Sequence, residues 1–230
     1  MLDISPSSYG GYGSAGGGGD NGGGGGGRIV LVTQNYLWIN GSVLSEGQSS
    51  NSTDININTV SGGAGSGGSI AIIAGKIKGI GICSVAGGSS VANFNFSNGA
   101  GGFSNGAGGG GRISLRLLQS SNFERKEHQV KFYYSGGDSI FFNSEVVDDD
   151  IYNYNVIVII NTSPCIVGGA GTFFLELATH KSAIISSSNN GLNTYAATVL
   201  ESSEFLNGDV IGLNFTGRAV LTTPSALESD

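Results

Sequence analysis

The densest group of side chains able to do acid–base or metal chemistry is Asp148-Asp149-Asp150, with Asp138 shortly before it. A glycosidase would need two carboxylates flanking a sugar bond, and clustered carboxylate oxygens could also hold calcium. Three consecutive acids in a loop are more simply read as hydrated and mutually repelling. His128 lies in the charged stretch Glu124-Arg125-Lys126-Glu127-His128, and His180 stands beside Lys181. Neither accompanies a Gly-x-Ser-x-Gly nucleophile turn, so a Ser-His-Asp triad has no support.

Other motifs fare no better as catalytic devices. The run from Gly63 to Gly68 has the glycine spacing of a dinucleotide fingerprint, but that motif needs a helix to follow, and the apolar residues after Ser69 read as a strand. Gly75-Lys76 is followed by Ile77 where a phosphate loop needs Ser or Thr. Asp20 after glycines suggests a calcium-binding nonapeptide, yet the word is neither complete nor repeated in tandem. Cys83 and Cys165 make neither a disulfide framework nor a four-ligand zinc site and read as small buried residues. The sequence therefore assigns no catalytic, cofactor-binding or metal-binding residue. Asn-x-Ser/Thr occurs at Asn40, Asn51, Asn95, Asn161 and Asn214, which permits a secreted history without arguing for one. Tyr36, Trp38, Tyr133 and Tyr134 could stack on sugar rings if exposed, or serve as core and sheet-edge packing.

The elements that position these residues are set by an unusual composition. Of 230 residues, 42 are glycine and only 12% are charged, whereas about 7% glycine and about 25% charged residues are usual. Glycine in a helix interior costs about 1 kcal/mol relative to alanine, so the chain can carry few long helices. Collagen is excluded because the glycines come in runs and only 3 prolines are present. A 39% hydrophobic share gives the chain a core to bury, unlike a disordered acidic polymer. The net charge of -7 disfavours nucleic acid as a partner. The longest apolar run, Val156 to Ile160, is too short to span a membrane, and the start Met1-Leu2-Asp3-Ile4-Ser5-Pro6 is not a secretory signal.

One phrase recurs four times: a glycine run, one small or basic residue, then a short apolar strand. It begins at Gly27-Arg28-Ile29, Gly68-Ser69-Ile70, Gly111-Arg112-Ile113 and Gly171-Thr172-Phe173, a period of about 40 residues with a longer last step. A second strand follows in each repeat, at Leu37 to Leu44, Ile77 to Val85, Gln129 to Tyr134 and Ala183 to Ser186. Alternation at Ile55/Ile57, Ile70/Ile72, Ile80/Ile82 and Phe94/Phe96 is that of half-buried strands. The glycines, and the Asn-Gly pairs at Asn40-Gly41, Asn98-Gly99, Asn105-Gly106, Asn190-Gly191 and Asn207-Gly208, are expected to supply positive-φ turns. A unit that cannot bury its own apolar face but recurs at fixed spacing buries it by stacking. The expected fold is all-β, a right-handed parallel β-helix over residues 28–230 with glycine-rich loops, its rungs about 4.8 Å apart. Residues 1–27 form a glycine-rich lead-in, either a flexible linker or polyglycine strands packed on one another. Later strands at Thr194 to Leu200, Val210 to Phe215 and Ala219 to Thr223 read as further rungs.

The phrases Gly65-Ser66-Gly67-Gly68-Ser69-Ile70, Gly108 to Gly111 with Arg112-Ile113, and Gly168-Gly169-Ala170-Gly171-Thr172-Phe173 resemble those of glycine-rich extracellular, receptor-like β-helix proteins of plants and protists. Related phrases occur in pectin-lyase-like adhesins. The resemblance covers roughly residues 10 to 190. It implies a β-helical stretch of a large secreted or membrane-anchored surface protein, with no catalytic residues to carry over. The chain departs from that pattern in having neither a signal sequence nor a membrane segment.

The functional expectation is a non-enzymatic structural or adhesive segment of a cell-surface or extracellular-matrix protein, part of a larger polypeptide, meeting a glycan or a cell-surface protein. The alternatives are a carbohydrate-active β-helix enzyme using Asp138 and Asp148 to Asp150, and an ectodomain piece of a signalling receptor. No cofactor, nucleic-acid partner or membrane span is expected within the chain.

Overall fold

A computed structural model describes residues 22–50, 62–94, 106–119, 130–137, 139–143, 168–177, 183–188, 198–199, 210–216 and 221–222. Among them every regular element is a strand, and no helix is long and apolar enough to cross a membrane.

The glycine-preceded phrases form β1 (Arg28–Val32), β4 (Ser69–Ala74), β8 (Arg112–Leu117) and β11 (Gly171–Leu177), lying side by side and parallel in one sheet. Their register follows the sequence repeat: Ile29 lies opposite Ile70, Ile70 opposite Ile113, and Ile113 opposite Phe173. Two residues on, Leu31, Ile72, Leu115 and Leu175 form a second inward row. A one-residue slip in any strand would turn both rows outward, which is why the repeat fixes the pairing.

The expected second strand is divided in the first two repeats. The first yields β2 (Tyr36–Trp38) and β3 (Ser42–Leu44) on either side of Asn40-Gly41; the second yields β5 (Lys76–Lys78) and β6 (Ile82–Ser84) on either side of Gly79-Ile80. β2 pairs with β5, and β3, β6 and β9 (Lys131–Tyr133) form a third parallel sheet. The Ile80/Ile82 alternation fails at this division: Ile80 stands in the turn and is 68% exposed, while Ile77 supplies the buried residue.

The core lies between the sheet of β4 and that of β6. Ile70, Ile72, Ile113 and Leu115 meet Cys83 and Val85 from the other side, all of them buried. Burying a side chain of this size contributes about 1.5–3 kcal/mol. Phe173 joins the two sheets, its ring 4.9 Å from Phe132 and 6.0 Å from Tyr134. On the opposite face of the first sheet, Arg116 and Glu176 occupy paired positions and form an ion pair at 2.6 Å.

The glycine segments are not turns. Segments 22–27, 62–68, 106–111 and 168–171 run side by side as one layer: Gly23 donates to Gly63, Gly26 to Ser66, Ala64 to Gly106, Gly67 to Gly109 and Gly110 to Gly169, at 2.8–3.0 Å. Segments 45–50, 85–89 and 134–137 form a second layer, in which Gly47 donates to Ala86, Ser50 to Ser89 and Gly87 to Ser135. The layers bond to each other in the antiparallel sense, with Gly65 donating to Gln48 and Gly68 to Ser45, then Gly108 to Gly88 and Gly111 to Val85. Along one segment, Ala64 and Gly67 point to one neighbour while Gly65 and Gly68 point to another. A three-residue period of donors, each serving a neighbouring chain, is that of polyproline-II-type helices packed side by side.

This corrects the turn reading for the described glycine segments; Asn98-Gly99, Asn190-Gly191 and Asn207-Gly208 lie outside the described residues. Among the described glycines only Gly79, at φ 114°, has a positive φ. Many of the others are required by proximity: a Cβ on Gly47 would overlap the carbonyl oxygen of Gly65, and one on Gly65 that of Gly24, whereas Gly27, Gly41 and Gly106 face open space. Residues 22–27 are hydrogen-bonded to segment 62–68; residues 1–21 of the lead-in lie outside the described residues.

The parallel, repeat-register sheets are the part of the expected architecture visible here. The fourth repeat departs from it, because β12 (Ala183–Ser188) pairs antiparallel with β11 instead of stacking parallel on β9. β12 then pairs in parallel with β14 (Val210–Thr216), β7 (Ser90–Phe94) with β10 (Ser139–Asn143), and β13 (Thr198–Val199) with β15 (Leu221–Thr222). Ile55, Ile57 and Phe96 lie outside the described residues.

Candidate functional site

Strand alternation makes an outward row from residues that the 40-residue repeat brings together. In β2, Leu37 turns to the core and Tyr36 and Trp38 turn out; in β5, Ile77 is buried between Lys76 and Lys78. Pairing sets Tyr36 opposite Lys76 and Trp38 opposite Lys78. The result is a four-residue face with two aromatic rings on one strand and two amines on the next.

The rings are accessible, Trp38 at 64% and Tyr36 at 48%. The Lys78 ammonium lies 4.5 Å from the Tyr36 ring centroid and 5.5 Å from that of Trp38. A cation over an aromatic face is attracted by the ring quadrupole, by about 0.5–1 kcal/mol at exposed sites. Lys78 thereby ties the rings to the second strand and restrains their rotamers. Neither lysine is paired with a carboxylate among the described residues.

The remaining aromatic candidates divide. Tyr133 is exposed on β9, whereas Tyr134 is half-buried and stacks inward on Phe173, so it belongs to the core and not to a sugar platform. The glycine run from Gly63 to Gly68 opens into strand β4, as the argument against a dinucleotide site required. Cys83 is fully buried, and desolvation pushes its thiol up to about 11. Asn40 stands exposed in the turn between β2 and β3, and Asn214 lies on β14. Asp20, Asn51, Asn95, His128, Asp138, Asp148, Asp149, Asp150, Asn161, Cys165 and His180 lie outside the described residues. Among those described, no three His, Cys, Asp or Glu residues gather to hold a metal.

Lys76 and Lys78 were not singled out as partners of the aromatic pair. The signal was present: Lys76-Ile77-Lys78 repeats the outward-inward-outward pattern of Tyr36-Leu37-Trp38 one period later. It was obscured because Gly75-Lys76 invites comparison with a phosphate loop. No protein-family description, curated protein or solved structure matches this chain.

Proposed function

We propose that this chain is a non-enzymatic structural or adhesive segment of a cell-surface or extracellular-matrix protein, its repeats stacked as rungs of a right-handed parallel β-helix. The observation that carries the reading is the joint between the glycine layers and the parallel sheets. Each of the first three repeats enters through a glycine segment, crosses the core as a strand and returns into the second glycine layer. Backbone donors in both layers are tied to neighbouring repeats, so the assembly resists bending without needing a large apolar core in those layers. Such a frame has value as a stiff support for exposed groups, and the face of Tyr36, Trp38, Lys76 and Lys78 is held on it by core residues Leu37 and Ile77.

The test is antibody staining of intact and of permeabilised cells of the source organism. Staining of intact cells is the expected result. Staining confined to permeabilised cells would overturn the surface assignment.

A further inference from the structure

The four outward residues of β2 and β5 bear on what such a support would present. We propose that the face formed by Tyr36, Trp38, Lys76 and Lys78 binds an acidic glycan, one built of uronic acid pyranoses. The inference rests on the surface reading above for its biological setting, but the site itself is argued from its own chemistry.

A pyranose ring has an apolar face of axial C–H groups and a polar rim. An exposed indole offers a flat surface for the first, and Trp38 is the most exposed aromatic side chain among the described residues. Tyr36 stands two residues away on the same strand, about 7 Å along at usual strand rise, so a second ring contact follows the strand direction. Stacking alone does not distinguish neutral from charged sugars. The amines do: Lys76 and Lys78 lie on the adjoining strand, and no Asp or Glu stands on β2 or β5. A carboxylate on a sugar stacked over Trp38 would find a cation within reach on that side and accept a charge-assisted hydrogen bond, while a hydroxymethyl group would offer only a neutral oxygen and a weaker bond.

The chain as a whole is acidic, at net charge -7. That charge does not forbid a local anion site. At physiological ionic strength the Debye length is about 8 Å, so acids farther than that from this face are largely screened from it. Lys78 already lies over both rings, and a carboxylate can be accepted at its outer side with the cation–ring contact retained.

The test uses two hexasaccharides with one backbone: cellohexaose, and β-1,4-linked hexaglucuronate, in which each hydroxymethyl group is a carboxylate. Trp38 is the only tryptophan, so fluorescence titration of the intact chain reports directly on this face. Saturable change with hexaglucuronate, and affinity for cellohexaose at least tenfold weaker, is the expected result. By calorimetry, Trp38→Ala should weaken hexaglucuronate binding at least tenfold, and Lys76→Gln with Lys78→Gln at least fivefold. All three positions are outward-facing, and far-UV circular dichroism on each variant checks the fold. Equal affinity for the two sugars, binding untouched by Trp38→Ala, or no binding would each overturn the proposal. So would tighter binding of a thymidine hexanucleotide than of hexaglucuronate, since stacking bases and phosphates could use the same groups. Failure here leaves the staining result standing, and intracellular staining leaves the binding result standing, so the two readings fail separately.

Discussion

A Cβ on Gly108 would overlap the carbonyl oxygen of Gly65, because the two backbones meet with no side chain between them. Gly108 also donates to Gly88 and accepts from Gly137, so it is bound on its other sides too. The neighbouring Gly109 differs: its Cβ would lie 3.8 Å from the nearest oxygen, that of Gly169, in ordinary contact. Two adjacent glycines thus have opposite tolerances.

Gly108→Ala should therefore destabilise the fold by about 3 kcal/mol, the upper end of the usual range for overpacking, because rigid backbone must move to admit the methyl group. Gly109→Ala should be neutral or stabilising by about 0.4–1 kcal/mol, since it restricts the unfolded chain at a position with room and without a positive φ. Urea denaturation followed by circular dichroism checks both. Equal losses at the two positions would contradict the packed-layer account.

The contrast explains what was legible in the sequence. The repeat and the inward rows were readable because apolar spacing encodes which face of a strand is buried, as Ile113, Leu115 and Leu117 do in β8; in β4 the Ile70/Ile72 alternation does not mark a wet face, because Ala71 and Ile73 are buried too. Polyglycine carries no such pattern, since its order comes from neighbours brought together by the strands that follow. Gly23 donates to Gly63 and Gly24 accepts from Gln48, and nothing in residues 22–27 alone distinguishes that state from a linker. The face of β2 and β5 was half legible. Tyr36 and Trp38 stand out as types, but pairing them with Lys76 and Lys78 needs the register. The antiparallel β12 was not legible at all, because Ala183 to Ser188 alternates no differently from a parallel strand.

Cys83 gives a second prediction. Burial in the core raises its thiol from an ordinary value near 9 to about 11, by disfavouring the thiolate. In a Cys165→Ala background, iodoacetamide at pH 8 should label Cys83 at least about a hundredfold more slowly in the native protein than in urea, because alkylation awaits opening of the core. The linked pH effect has a definite sign. The native state keeps a proton that the unfolded state releases, so stability falls as pH rises from about 9 to about 11 and is unaffected by this group below that window. Rapid native-state labelling would show that the thiol is not enclosed.

Phe173 is the ring through which β11 meets β9 and the residue after it, Tyr134. Phe173→Ala should cost about 3–5 kcal/mol, combining lost apolar burial with the cavity left between the sheets. Phe173→Leu should lose distinctly less, since it retains most of the buried volume. The midpoint of urea unfolding, compared among the three proteins, checks the order; an alanine variant as stable as the parent would mean that the two sheets do not pack through this ring.

The turns between outward strands make the last test. Asn40-Gly41 carries the usual turn signal, yet Gly41 has no positive φ and a Cβ there would enter open space. Gly79, one repeat later and without an Asn before it, has φ 114° and lies against the Ile39 carbonyl, where Gly81 donates a hydrogen bond at 2.7 Å. The first turn is thus fixed from outside, by the stacking of β2 on β5 and β3 on β6, while the second uses a positive-φ backbone that glycine adopts without steric cost. Gly41→Ala should change stability by no more than about 1 kcal/mol, in the stabilising direction if at all. Gly79→Ala should cost about 1–3 kcal/mol for the disfavoured backbone region alone. It should also disturb the register of Trp38 with Lys78, because Lys78 immediately precedes the turn. A change in the emission maximum of Trp38 in folded Gly79→Ala protein, absent in Gly41→Ala, would report that disturbance; identical spectra would show that β5 is held by its core residue Ile77 independently of the turn.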